Sequence, residues 1–271
     1  MDHRPDPTPA SAAARPVALV TGGGIRIGRA ICLSLASAGY DLVIHARHAD
    51  APAQACLQAV LQAGLQAGLA GGARAAIITG DLADSAAVAA LLPAATAALG
   101  PVSLLVNNAS EFHPDGVGEL DLARWDRHFA VNLRAPVFLA EAFAAQLPAD
   151  RPGAIVNLID QRVLKPTPAF LSYSLTKNAL WAATRMMAQA LAPRIRVNAV
   201  APGPTLANPR QSPDDFRRQS ASVLLGRGPT PEEIAEAVLF LARAESVTGQ
   251  MIAVDGGQHL AWQTADALIP E

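Results

Sequence analysis

Cysteine is nearly absent from this chain of 271 residues: there are two, Cys32 and Cys56. They fit no Cys-x-x-Cys or metal-ligand spacing, so reduced thiols in a cytoplasmic protein are the reading they carry. Aromatics make up only 4% against 51% hydrophobic residues, so Ala, Val, Leu and Ile must fill the core. The formal net charge is −2 and no block of Lys or Arg stands out, which gives nucleic-acid binding little support. No apolar run reaches the roughly 18 residues of a membrane helix. Of the six histidines, His45, His48, His113, His128 and His259 show no metal-ligand spacing, and solvated or internally satisfied rings are expected. Met1 to Arg15, rich in Pro, Ala and Asp, lacks the apolar stretch of a leader or anchor and reads as a disordered tail preceding one domain over 16–271.

What is present is alternation. Apolar, β-branched runs predict strands at Val17–Thr21, Asp41–His45, Ala75–Thr79, Val102–Asn107, Ala154–Leu158, Arg196–Val200 and Met251–Val254. Between them, Ala/Leu-rich stretches predict helices at Ile25–Ala38, Ala51–Leu69, Ser85–Leu99, roughly 121–147, Phe170–Leu191 and Pro231–Arg243. Continuous apolar strands are buried on both faces, which implies a parallel sheet between helical layers. The fold class expected is α/β, a single-domain doubly wound parallel sheet of the Rossmann type.

Chemistry-bearing residues cluster at the carboxyl ends of those strands, where ligands of such sheets bind. Thr21-Gly22-Gly23-Gly24-Ile25-Arg26-Ile27-Gly28 leaves the first strand and opens the first helix, as a turn that lets a pyrophosphate approach the helix N-terminus does. Its spacing is not Gly-x-Gly-x-x-Gly, because position 27 is Ile. After the second strand comes His45-Ala46-Arg47-His48, with no acid to hold ribose hydroxyls. Arg47 there can face a 2′-phosphate, so NADP(H) is the cofactor expected. Asp81-Leu82 follows the third strand, placed for an adenine amino group, and Asn107-Asn108-Ala109-Ser110 ends the fourth. Tyr173 and Lys177, four apart, share one helix face. A phenol beside an ammonium can pass a proton near neutral pH, because the cation favours the phenolate.

Together with Asn132, Pro202-Gly203 and Asp255-Gly256-Gly257, these motifs resemble the short-chain dehydrogenase/reductase family over about residues 16–260. The resemblance implies that Tyr173 donates a proton to the substrate, and that Lys177 lowers the Tyr pKa and holds the nicotinamide ribose. It implies that Asn132 supports a proton relay, and that Pro202, Gly203 and Thr205 lie against the nicotinamide. About Thr205 to Leu225 would form a mobile substrate loop. A homotetramer built through the helices at 121–147 and 170–191 and through the C-terminal strand is expected.

Two residues depart from the family: Arg26 stands where Gly is usual, and Asp160 where Ser is usual, thirteen residues before the Tyr. An ionised Asp160 would raise the Tyr pKa, unless it is paired with a cation, protonated or turned away. Pteridine reductases make both departures and share Asn-Asn-Ala-Ser-x-Phe. Carried over, Phe112 would stack on a pterin, Arg26 would lie near pyrophosphate and pterin, Ser110 would bond a phosphate or the substrate, and Asp160 with Tyr173 would supply a proton. The function expected is NADPH-dependent reduction of the C=N bond of a dihydropterin or dihydrofolate. The alternative is a family member acting on another carbonyl or hydroxyl compound. A third reading, an NADP-binding subunit without catalysis, leaves Tyr173 and Lys177 without a role.

Overall fold

The computed structural model describes residues 15–69, 71–264 and 267. The predicted N-terminal tail, apart from Arg15, lies outside the described residues.

Seven strands form one parallel sheet: β1 (Val17–Val20), β2 (Asp41–Ala46), β3 (Ala75–Thr79), β4 (Val102–Asn107), β5 (Gly153–Leu158), β6 (Ile195–Pro202) and β7 (Met251–Val254). Their order is β3-β2-β1-β4-β5-β6-β7. The doubly wound expectation is borne out. The period-2 alternation of each strand divides the core. Ala18, Val20, Leu42, Ile44, Leu104, Val106 and Val156 face one side, against α1 (Arg26–Ser37), α2 (Ala51–Gln66) and α8 (Pro231–Arg243). Val17, Leu19, Val43, Leu105, Ile155 and Val197 face the other, against α3 (Ser85–Leu99), α5 (Ala135–Gln146) and α6 (Leu171–Leu191).

Chain order reverses between β1 and β4, and one side chain ties the two strand ends there. Thr21 Oγ1 donates to Val106 O and accepts from the amides of Asn108 (2.9 Å) and Ala109 (3.0 Å). A polar ladder then fixes α6 to the sheet. Asn107 Nδ2 donates to Asn157 Oδ1 (2.9 Å), Asn157 Nδ2 to Thr184 Oγ1 (2.9 Å), and Thr184 Oγ1 to Leu180 O (2.8 Å). All three side chains are buried, where an unmade bond costs more than a made one gains.

Two predicted segments differ. The helical region at 121–147 is α4 (Leu122–Phe129), a π-helical turn (Ala130–Arg134) and then α5. The wide turn holds Asn132, and such bulges concentrate at functional sites. The segment 205–225, expected as a loop, contains α7 (Pro213–Ala221), capped by Ser212 through the Asp215 amide. Among the described residues, no helix is long and apolar enough to cross a membrane.

Candidate active site

Two adjoining cavities open at the carboxyl ends of the strands. One, of about 610 Å³, is lined by Asp160, Arg162, Phe170, Tyr173 and Lys177, by Pro202, Gly203 and Thr205, and by Phe216 of α7. The other, of about 580 Å³, is lined by Gly22, Arg47, His48, Asp81, Leu82, Ala109 and Glu111. Arg26, Ile27, Asn108, Ser110, Phe112 and Tyr173 line both. Every residue singled out for cofactor or substrate therefore lies on one continuous cleft, apart from Asn132, which is fully buried just behind it.

The smaller cavity is floored by the Gly-rich turn. Gly22 has φ +62°, and a Cβ on Gly28 would lie 2.1 Å from Gly22 O, so a side chain at 28 would push the turn apart. The N-cap of α1, Ile25, offers no side-chain cap and the first turn holds no acid, so no side chain competes for its first amides and they are available to an anion. His45 braces the turn from β2. The Gly22 N–H donates to its Nδ1 (3.3 Å), so Nε2 carries the proton and donates to Gly80 O (3.0 Å). Burial lowers the His45 pKa, in keeping with this neutral ring.

At the rim of this cavity Arg47 does not stand free. Its Nη2 donates to Glu111 Oε1 at 2.6 Å, and its Nε lies 4.0 Å from Asp81. Asp81 accepts from the Ala83 amide (2.9 Å) and is forked by Arg127 (3.1 Å), interactions that lower its pKa, the backbone bond most. Arg47 and Asp81, the residues expected to meet the 2′-phosphate and the adenine, are thus tied into ion pairs within the protein.

Asn132 spends its amide on the turn beside it. Oδ1 accepts from the Glu111 amide (2.8 Å) and Ser110 Oγ (3.2 Å), while Nδ2 donates to Glu111 O (2.9 Å) and Thr176 Oγ1 (3.3 Å). Arg26, at φ +52°, reaches across the cleft instead of lying along the turn. Its guanidinium donates to the carbonyls of Ala207 (2.9 Å) and Leu206 (3.2 Å). Arg210 Nη2 likewise donates to Phe112 O (2.8 Å), so two arginines fasten the 205–225 segment to the body.

In the larger cavity Tyr173 Oη donates to Asp160 Oδ2 at 2.8 Å. Of the three possibilities for Asp160, pairing with a cation is the one adopted. Arg162 Nη1 lies 3.1 Å from Oδ2, and the Arg162 amide donates to Oδ1 (2.8 Å). Burial first, then the charge and hydrogen bond of Asp160, push the Tyr173 phenol well above its ordinary range. The expectation that Lys177 sets a lowered Tyr pKa is therefore corrected: the nearest charge on the hydroxyl is an anion. Lys177 Nζ instead donates to Leu158 O (2.8 Å) and sits 5.6 Å from the Tyr173 ring centroid. Burial lowers its own pKa to about 8, opposed by Asp160.

Phe112 packs face to face on Phe170 (centroids 4.4 Å) and edge-on to Tyr173 (4.7 Å), with the Arg162 guanidinium near both phenylalanines. A chain of buried bonds holds this corner. The His113 amide donates to His128 Nε2 (3.2 Å), leaving Nδ1–H to donate to Ser172 Oγ (2.6 Å), which donates in turn to Asp115. Sequence reasoning missed Glu111, Arg127, Arg162 and Phe170. Only Arg162 carried a signal, as a cation two residues after an unusual acid. Among the described residues no group of His, Cys, Asp or Glu could hold a metal ion.

Comparison with known proteins agrees with this geometry. A family model described as enoyl-(acyl carrier protein) reductase, of the short-chain dehydrogenase class, matches residues 24–259. The crystal structure of FolM alternative dihydrofolate reductase 1 from Brucella canis, complexed with NADP, is similar at 47% identity and a TM-score of 0.86, covering 96% of this chain and 100% of that one. Pteridine reductase 1 of Leishmania tarentolae is 34% identical, over 90% of this chain and 96% of its own length. Galactitol 2-dehydrogenase (L-tagatose-forming) of Cereibacter sphaeroides is 36% identical, over 90% and 95%.

Proposed function

Because the chain belongs to the short-chain dehydrogenase/reductase family, we propose that it is an NADPH-dependent reductase of a dihydropteridine, acting on its C=N bond. The observation that carries this reading is the Arg162–Asp160–Tyr173 array beneath the Phe112 ring. A carboxylate beside the proton donor works against a ketone, whose oxygen gains negative charge as it is reduced. It favours a ring nitrogen that takes its proton and carries positive charge before the hydride reaches the adjacent carbon and leaves a neutral amine. The bound dinucleotide supplies the hydride.

The residues of this chain hold and protonate. The open amides at the start of α1, with Gly22, Arg26 and Ile27, take the pyrophosphate. Arg47 and His48 face the 2′-phosphate, and Asp81 and Leu82 the adenine. Asn108, Ala109 and Ser110 form the wall opposite. Pro202, Gly203 and Thr205 take the nicotinamide side, and Lys177 its ribose. Tyr173, neutral because its pKa is high, gives its proton to the ring nitrogen. Asp160 accepts from the N–H groups of the heterocycle, and Arg162 holds that carboxylate in place by its ion pair. Phe112 offers its ring for stacking.

A homotetramer is part of the same proposal, since Phe138 of α5 and Leu175 and Met186 of α6 are exposed. Light scattering on the eluting protein tests it, and a monomer would oppose it.

The function is tested by following NADPH absorbance with dihydrobiopterin, dihydromonapterin and dihydrofolate beside a set of ketones, with NADH as control. Pterin turnover with NADPH is expected, and Asp160→Ser should move the preference toward C=O compounds. Turnover of ketones alone would remove the pteridine assignment and leave the alternative carbonyl chemistry.

A further inference from the structure

Four charged side chains from four separate segments meet at the rim of the smaller cavity. Arg47 follows β2, Asp81 follows β3, Glu111 follows β4 and Arg127 lies on α4. Glu111 is the hub. Its Oε1 accepts from Arg47 Nη2 (2.6 Å) and Arg127 Nε (2.9 Å), and its Oε2 lies 3.2 Å from His113 Nε2. Its side chain is 12% exposed, against 54% for Arg47. Both its backbone groups are bonded to Asn132, so the carboxylate cannot follow a departing partner far. Burial alone would raise the Glu111 pKa, but Arg127 and Arg47 outweigh it and hold the carboxyl below its ordinary range.

The array pairs two arginines with two carboxylates, so an incoming phosphate meets no net positive charge. It can engage Arg47 only by taking it from Glu111. What makes the exchange feasible is Arg127. When Arg47 leaves, Glu111 still has Arg127 and His113, and no carboxylate is stranded in a half-buried place. We propose that Glu111 is an internal competitor for Arg47, that Arg127 restrains it by sharing its charge, and that this pair sets how strongly the protein prefers 2′-phosphorylated adenosine. The inference rests on the NADPH reading above and adds residues outside the set that touches the cofactor there.

The test is calorimetric binding of adenosine 2′,5′-bisphosphate and adenosine 5′-monophosphate to the full chain, with thermal melts confirming that each variant is folded. The wild type should prefer the bisphosphate. Glu111→Gln keeps the side-chain shape and removes the charge, so the preference should widen by about fivefold, the upper range of a partly exposed ion pair. Glu111→Asp should fall between the two. Arg127→Gln frees the competitor and should narrow the preference by a similar factor. Opposite signs in the two variants cannot arise from general loosening. A preference unchanged or narrowed in Glu111→Gln, or moved in the same direction by both variants, would overturn the proposal. A wild type without preference that gains one in Glu111→Gln would keep the competition and overturn the NADPH reading; no preference in either protein would overturn both.

Discussion

The two ends of the cleft use the same chemistry, arginine against carboxylate, in different surroundings. At the cofactor rim, Arg47 is 54% exposed and shares Glu111 and Asp81 with Arg127. At the catalytic end, Asp160 and Arg162 are 14% and 18% exposed and sit against two buried groups, Tyr173 and Lys177. Water screens Arg47, though not Glu111 at 12% exposure, so the pairs of this arginine are weak and can exchange partners when a charged ligand arrives. At the catalytic end the dielectric is low and the partners are fixed. There burial moves protonation equilibria: Tyr173 upward, with Asp160 adding to the shift, and Lys177 downward to about 8, with Asp160 opposing it. Exposure thus separates the tuning of affinity from the tuning of proton transfer.

The largest break in this comparison is Arg162→Met. The variant keeps much of the packing against Phe112 and Phe170 but leaves the Asp160 carboxylate with only a phenol and an amide. Stripping one partner from a mostly buried pair costs about 2–4 kcal/mol, toward the lower part of the range for fully buried ones. Urea unfolding should show that loss. Adding Asp160→Asn should recover most of it, because no charge is then stranded. A single variant as stable as the wild type would mean that water reaches Asp160 and that the two ends do not differ.

A smaller effect comes from Lys177, and its signature is a pH dependence. A buried lysine with a pKa of about 8, against 10.5 when solvated, is penalised wherever it is charged in the fold. Below pH 8 both folded and unfolded chains carry the proton and the full penalty is present, on the order of 3 kcal/mol. Between about pH 8 and 10.5 the unfolded chain binds more protons than the folded one. Stability then rises with pH, and the penalty fades. Tyr173 acts in the opposite sense above pH 10, because its raised pKa keeps the folded phenol protonated. The clean measurement is therefore the difference between Lys177→Met and the wild type, in urea, at pH 7 and pH 9.5. The advantage of the methionine variant should shrink at the higher pH. A gap independent of pH would place Lys177 in contact with solvent.

The sequence made the scaffold legible where one force dominates. β4, β7 and α8 have the predicted ends: apolar runs define the strands, and Thr230 with Pro231 and Glu233 forms a capping box that starts the helix. α7 was hidden because it buries no residue. Its first turn is held by Ser212 and acidic residues, and its face by the pairs Asp214–Arg217 and Asp215–Arg218. The Ser212-Pro213 start was a usable signal, outweighed by the polar, Pro-containing composition. The π turn at Asn132 has no periodic signature at all. At the site, motif residues were readable because strand ends converge on one edge. Their partners were not, since Glu111 meets Arg47 from 64 positions away and Arg127 meets Asp81 from 46, distances that no local pattern encodes.

The smallest predicted effect is the sharpest control on the contrast. Arg47→Gln removes from the rim what Arg162→Met removes from the catalytic end, one arginine facing a carboxylate. Here Glu111 keeps Arg127 and His113, Asp81 keeps Arg127 and the Ala83 amide, and Arg47 itself is largely in water. The loss in urea should stay within about 0.5 kcal/mol, as for an exposed pair, and added salt should reduce it further. Binding of 2′-phosphorylated adenosine should weaken in the same variant, because the displaced guanidinium was the group left to meet the phosphate. A variant that loses stability as Arg162→Met does would make the rim a structural clamp, and its partner exchange would then be too costly for a ligand to drive.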